Sequence, residues 1–255
     1  MSKFLIHRSL LQIRTLSKQI SMNLFERYDP QQVALLDEPL IVVDMNDKMI
    51  GRTTKKEAHL LSNIEQEPTL IHRAFSFFLF DHSRKPSRLI LQQRSAEKIT
   101  YPLLWANTCC SHPLHNENES QGLDGVKRAV RRRVQYELGH EIKVNPIYRT
   151  RIFYQARNIP DDGIFGESEV DYIIFGHYHG KTPLDLRTDF DINENEIKEI
   201  DSLTLEECET LVHEKRTTPW FTRLIQQGLL AQWWKEFEQS DFNECDQQTD
   251  EVIRL

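Results

Sequence analysis

The stretch Leu123–Gly139, LDGVKRAVRRRVQYELG, decides how the rest of the chain is read. Val126, Val130, Val134 and Leu138 recur at every fourth residue, the spacing that stacks side chains on one face of an α-helix. Basic and polar residues fill the other positions, and Gly139 supplies the stop. An amphipathic helix over Leu123–Leu138 needs an apolar surface to cover, and strands on both sides of it offer one. Upstream, Leu40–Asp44 (LIVVD), Arg73–Phe80 and Arg88–Arg94 read as strands, the last two forming a hairpin through a turn at Ser83–Ser87. Downstream, Ile147–Ala156, Val170–Tyr178 and Ile197–Leu203 read as strands. Thr54 with Glu57 and Thr204 with Glu207 are capping-box pairs, and Pro219 opens a last helix running to about Phe237. A long loop is expected through Ser111 and Asn118. Strands and helices interspersed, with hairpins among them, predict an α/β (α+β) chain: a mixed sheet with helices packed on it.

The chain has 255 residues, 39% apolar and 28% charged, enough for a proper core. Its apolar runs are all far shorter than the roughly 18 residues of a membrane span. A net charge of −7 argues against a bulk electrostatic grip on nucleic acid. Four cysteines, Cys109, Cys110, Cys208 and Cys245, are too few for a disulfide scaffold and fit a reducing compartment.

The ends differ from the body. Residues 1–25 contain no Asp or Glu, carry Lys3, Arg8, Arg14 and Lys18, and are rich in Ser and Thr with an apolar side. That composition predicts a mitochondrial transit segment, with Met22 as a second start that would leave a cytoplasmic form. The terminal Ile253-Arg254-Leu255 shares its last two residues with a peroxisomal address but lacks the small residue before them. Residues 26–239 are expected to form one domain and 240–255 a mobile acidic tail.

Chemistry-bearing residues are scattered. His59 falls in a helix, His72 begins a strand and His112 lies in a Cys-Cys-Ser-His-Pro loop; each alone reads more readily as structural than as a ligand. His177 and His179, at i and i+2 of one strand, suit a metal pair or an exposed strand face equally. Glu167 and Glu169 project the same way, and two such carboxylates repel unless a cation lies between them or one is protonated. Glu137, in the last turn of the helix, opposes the helix dipole. The segment Trp105–Pro113, WANTCCSHP, is the least ordinary. Adjacent cysteines have the wrong geometry to join, so one packs while its neighbour faces a pocket. Lys55, Arg94, Lys98 and Arg133 are cations on four segments that together could clamp a diphosphate.

These segments resemble the type 1 isopentenyl-diphosphate delta-isomerases of the Nudix superfamily. The resemblance is carried by LIHRAFSFFLF at Leu70–Phe80, LQQRSAEKITYP at Leu91–Pro102, WANTCCSHPL at Trp105–Leu114, RRRVQYELG at Arg131–Gly139, DGIFGESEVDYI at Asp162–Ile173 and TPWF at Thr218–Phe221. It spans roughly residues 30 to 237 and implies a Nudix-type mixed sheet sandwiched between helices. It further implies conversion of isopentenyl diphosphate to dimethylallyl diphosphate by proton addition and removal, in isoprenoid biosynthesis. By this likeness Cys110 and Glu169 are the catalytic pair and Tyr154 hydrogen-bonds near Glu169. His59, His72, His112, Glu167 and Glu169 would hold a divalent metal (Zn²⁺, Mn²⁺ or Mg²⁺), and Glu137 would hold a second, Mg²⁺, bridged to the diphosphate. Lys55, Arg94, Lys98, Ser111 and Arg133 would lie near the diphosphate, and Trp220 would close over the hydrocarbon. The partner implied is the small-molecule substrate alone, with no nucleic acid or membrane, and the chain is expected to act as a monomer.

Two rivals differ in class. A Nudix pyrophosphohydrolase needs clustered helix carboxylates, but Arg133 and Tyr136 replace two of three glutamates and leave Glu137. An inactive prenyl-diphosphate- or metal-binding protein would lack Cys110 or Glu169, and both are present. The chain departs from the family's pattern at Leu103, usually Gly, at Ala106, usually Thr, and at His140, usually apolar. Leucine at position 103 would matter if the backbone there needs a positive φ.

Overall fold

The computed structural model describes residues 26–139, 146–178, 180–239 and 251–255. In chain order the elements are α1 (Pro30–Leu35), β1 (Pro39–Val43), β2 (Met49–Thr54), α2 (Lys55–His59), α3 (Leu61–Ile64), β3 (His72–Asp81) and β4 (Arg88–Arg94). There follow β5 (Trp105–Asn107), β6 (Cys109–Ser111), α4 (Gly122–Leu138), β7 (Ile147–Arg157) and β8 (Gly166–Tyr178). The chain closes with β9 (Ile197–Leu203), α5 (Leu205–His213), α6 (Pro219–Gln226), α7 (Leu229–Gln239) and β10 (Val252–Arg254).

The sheet is mixed, in the order β10-β7-β8-β3-β1-β2, with β4 and β6 branching from β3 and β5 and β9 pairing with β4. The central pair, β3 and β8, runs parallel and is covered on both faces. Phe75, Phe77 and Leu79 of β3 join Tyr172 and Ile174 of β8 in packing with Val126, Val130, Val134 and Leu138 of α4, the stripe that the four-residue spacing predicted. Phe78 and Phe80, with Ile173 and Phe175, pack on the other side with Trp220, Phe221, Trp233 and Phe237 of α6 and α7. Alternation along each strand therefore feeds two cores, and the sheet lies between helices as expected. Gly139 ends α4 with φ +58, and a Cβ there would come within 2.6 Å of the Asp191 carbonyl oxygen.

Several elements differ from the sequence expectation. Asn46-Asp47 is the turn expected, but the strand that follows it, β2, is an edge strand with no buried alternation to betray it. Thr54 caps α2 by accepting the Glu57 N–H, while the Glu57 side chain accepts from Asn63 instead of completing a capping box. The helix opened by Pro219 breaks in two at Gly228, where φ is +70. Glu167 and Glu169 lie within β8, not ahead of it. Residues 240–250 are outside the described residues, but the tail's end is tied down: Val252–Arg254 pair in parallel with Arg151–Phe153 of β7. The transit-like segment 1–25, His140, His179 and Cys245 also lie outside the described residues.

The largest correction concerns Trp105–Ser111, which is not loop but two short strands wedged into a fork. β3 and β4 pair only over Leu79–Asp81 with Arg88–Ile90 and then part. β6 takes the freed edge of β3, and β5 that of β4. Thr108 fills the apex: its hydroxyl accepts the Leu79 N–H at 2.8 Å and donates to the Ile90 carbonyl at 2.5 Å. Those two groups would otherwise be buried without partners. Asn107 donates to the Phe77 and Cys109 carbonyls. The fork sets Cys110 opposite Ser76 of β3.

Candidate active site

Three histidines from separate segments meet at one end of the central strand pair. His72 begins β3 in register with Glu169 of β8, His59 ends α2, and His112 follows β6. Their ring centroids are 4.8, 4.9 and 5.1 Å apart. The Nε2 atoms of His72 and His112 each lie 2.9 Å from the same Glu169 oxygen, Oε1. His59 Nδ1 donates to the Lys55 carbonyl at 2.8 Å, which fixes the tautomer and leaves Nε2 with its lone pair. Ligand atoms of His59, His72, His112 and Glu169 all fall within 4.8 Å of one another, and all four side chains are buried.

This group fits a divalent cation. Burial pushes His59 well below the usual imidazole range and His112 down to about 3, so both are neutral, the form that ligates metal. Burial opposes the charge on Glu169, yet bonds to His112 and His72 hold it well below the usual carboxylate range. Nδ1 of His72 and of His112 is buried with no partner.

Glu167 stands beside that group, joined to it by Tyr154. The tyrosine hydroxyl is 2.6 Å from Glu167 Oε2 and 2.6 Å from Glu169 Oε2. One O–H can donate to only one of them. Burial and the Glu169 charge push Glu167 up to about 8, so Glu167 is protonated at neutral pH. Glu167 then donates to Tyr154 and Tyr154 to Glu169, three oxygens sharing two protons. The tyrosine itself is pushed up by burial and by both carboxylates. The expected repulsion of two like-sided acids is thus relieved by a proton at Glu167 and by imidazoles at Glu169.

The same pocket holds Cys110, Ser111, Trp220 and the cations. Cys109 is fully buried against α4, while Cys110 lines the pocket, the division the adjacent cysteines predicted. Burial is the largest influence on the Cys110 thiol and pushes it up; Arg94, with Nη1 3.9 Å from the sulfur, pulls the other way. The Trp220 indole donates to Asn107 Oδ1 at 2.8 Å, and its ring lies near Tyr101, Tyr154 and the Arg94 guanidinium. Lys55, Arg94, Lys98 and Arg133 line the pocket together. Burial, with Lys98 nearby, pulls Lys55 down to about 8.

Glu137 is set apart. One of its oxygens accepts from Arg133 Nε and Nη2 at 3.0 and 2.6 Å, and the other accepts from Gln92 at 3.1 Å. It lies behind Arg133 and outside the four-donor group. Tyr136, at another position where a pyrophosphohydrolase would carry glutamate, is exposed. His177 packs beside His82 and Phe237 and is also outside the four-donor group.

No family model matches the chain. Curated relatives do. The chain is 42% identical over 222 residues to the isopentenyl-diphosphate delta-isomerase of Schizosaccharomyces pombe, covering 83% of this chain and 90% of the relative. It is 45% identical over 217 residues to the Bos taurus isopentenyl-diphosphate delta-isomerase, covering 81% and 88%. The chain belongs to the isopentenyl-diphosphate delta-isomerase family. Among solved structures, that of DR0079 from Deinococcus radiodurans superposes with a TM-score of 0.50 at 17% identity, covering 74% of this chain and 98% of its own, a likeness of fold.

In this member of the isomerase family every residue expected at the site lines one pocket or touches a residue that does, His72 through Glu169 and Glu137 through Arg133. Sequence reasoning missed Asn107, Glu196 and Gln32. Asn107 anchors Trp220, and Glu196 holds Lys98 and Arg133 from behind. Leu103 does sit at a positive φ, +63, so the family's glycine there has a backbone reason. Among the described residues no helix is long and apolar enough to cross a membrane.

Proposed function

We propose that this chain interconverts isopentenyl and dimethylallyl diphosphate by adding one proton to the carbon skeleton and removing another. The observation that carries this reading is a single pocket holding Cys110 together with the Tyr154-linked pair Glu167 and Glu169, walled by Trp220. An isolated alkene is a weak base, so its protonation builds a tertiary cation at the branching carbon. The indole face of Trp220 stabilises that charge, and burial keeps water from capturing it. In the forward direction Glu169 gives its proton to the terminal carbon and the Cys110 thiolate takes one from the allylic CH2 between the branching carbon and the carbon that bears the diphosphate, closing the new double bond. In the return direction the labels swap. The raised Cys110 thiol and the lowered Glu169 carboxyl correspond to the return assignment.

His59, His72, His112 and Glu169, with Glu167 beside them, would hold a divalent cation, and three imidazoles favour Zn²⁺ or Mn²⁺ over Mg²⁺. When bound, it supplies positive charge that makes a proton on Glu169 easier to give up. Glu137, whose oxygens here accept from Arg133 and Gln92, would supply a carboxylate to a Mg²⁺ that neutralises diphosphate charge. Lys55, Arg94, Lys98, Ser111 and Arg133 grip the diphosphate, and one chain supplies all of them, in keeping with a monomer. Residues 1–25 direct mitochondrial import; a reporter fused to them that stays cytosolic contradicts this. Incubation with isopentenyl diphosphate and Mg²⁺, followed by ³¹P and ¹H NMR, tests the activity. Dimethylallyl diphosphate with its diphosphate intact supports it, and released phosphate would move the chain to hydrolysis.

A further inference from the structure

Glu196, 2% exposed at the entry to β9, is a buried carboxylate that the reaction leaves unused. Its Oε2 accepts from Lys98 Nζ at 2.5 Å and from Arg133 Nη2 at 3.1 Å, and its Oε1 accepts from Gln32 Nε2 at 3.0 Å. These donors arrive from the β4–β5 connection, from α4 and from α1. All three donor residues line the pocket, whereas Glu196 does not. It stands behind them. Its backbone is fixed too: its N–H donates to the Asn193 carbonyl, and its carbonyl accepts from the Ser95 N–H.

A carboxylate beside two cations that must grip an anion looks counterproductive, since it cancels charge. The geometry gives it another use. Lys and Arg carry the largest side-chain entropy, and a free pair would lose it on gripping a ligand. Held by Glu196, they lose it on folding instead. The Lys98 ammonium has three N–H donors and the Arg133 guanidinium five, so each keeps donors for a phosphate oxygen.

We propose that Glu196 is a positioning residue for the diphosphate, presetting Lys98 and Arg133 from behind; the ligand's identity rests on the isomerase reading. Calorimetric titration of the full chain with inorganic pyrophosphate and Mg²⁺, beside steady-state kinetics, tests it. Glu196→Gln is expected to weaken pyrophosphate binding by about tenfold and to raise KM similarly while kcat holds. Glu196→Asp, which keeps the charge at shorter reach, falls between Gln and wild type. In a Lys98→Met background the Glu196→Gln loss shrinks, because the two residues act as one unit.

Pyrophosphate binding by folded Glu196→Gln that equals or exceeds wild type overturns the proposal, and so does full additivity with Lys98→Met. Should Glu196→Gln fail to fold, wild-type affinity in Glu196→Asp overturns it. A wild type that binds pyrophosphate in a Glu196-dependent way but turns over no isopentenyl diphosphate would sink the isomerase reading and leave Glu196 standing.

Discussion

The two walls of the pocket are built on opposite electrostatic plans. On one, three imidazoles and a carboxylate crowd within 4.8 Å of one another with no lysine or arginine among the four donors. On the other, Lys98 and Arg133 are already matched by Glu196 and Glu137, and Arg94 donates to the Thr100 and Tyr101 carbonyls. The first wall is a donor set suited to a cation. The second has its cations held in place by carboxylates and carbonyls and keeps spare donors for an anion. Cys110 and the Tyr154-linked acids sit where the walls meet, so proton transfer depends on both.

Breaking that junction gives the largest effect. Cys110→Ala should lower isomerisation by about 10³-fold or more while circular dichroism and melting stay close to wild type. Normal turnover in that variant would remove Cys110 from the chemistry. Glu169→Gln should lose turnover on a similar scale and also lose metal by elemental analysis, because its two oxygens serve both Tyr154 and the histidines. Unchanged metal content there would separate the two duties.

The cation wall offers a finer test through pH. Lys55 faces Lys98, Glu38, Arg133 and Glu196, and it loses its proton near pH 8 in the free protein. Its charge is present below that pH and lost above it, so kcat/KM should fall as pH rises through about 8. Lys55→Arg, which cannot deprotonate in this range, should flatten that limb. An identical alkaline fall in Lys55→Arg would assign it elsewhere.

The smallest effect lies at Leu103, whose N–H donates to the Arg94 carbonyl. Leu103 holds φ +63, a conformation that costs a side chain of this kind about 1–2 kcal/mol. Leu103→Gly should stabilise the chain by about 1 kcal/mol, a rise in Tm of about 2–4 °C, since glycine's greater unfolded freedom offsets part of the relief. A lower Tm would mean that the half-exposed leucine packs more than its backbone strains.

The comparison also separates what was legible from what was not. The α4 stripe follows from periodicity because α4 buries one face, whereas β3 is legible as an apolar run because both of its faces feed cores. The Trp105–Ser111 fork does not, because its strands are three residues long and are held by Thr108 and Asn107 reaching across to other segments. The histidines looked ordinary one at a time; only the β3–β8 register brings His72 to Glu169, and pairing register is not written in a single strand. Resemblance to the isomerases supplied the grouping that local chemistry left open. Glu196 escaped notice because DINENE at Asp191–Glu196 has the composition of a solvated loop, yet its last carboxylate is buried against two cations.

The central claim is that two different groups handle two different protons. It is tested most directly by running the reaction in D₂O with isopentenyl diphosphate and Mg²⁺ and following the products by NMR. Dimethylallyl diphosphate carrying solvent deuterium in a methyl group is the result predicted. Product formed with the substrate's own hydrogen carried across, and no deuterium gained, would contradict an acid and a base acting from separate groups of one pocket.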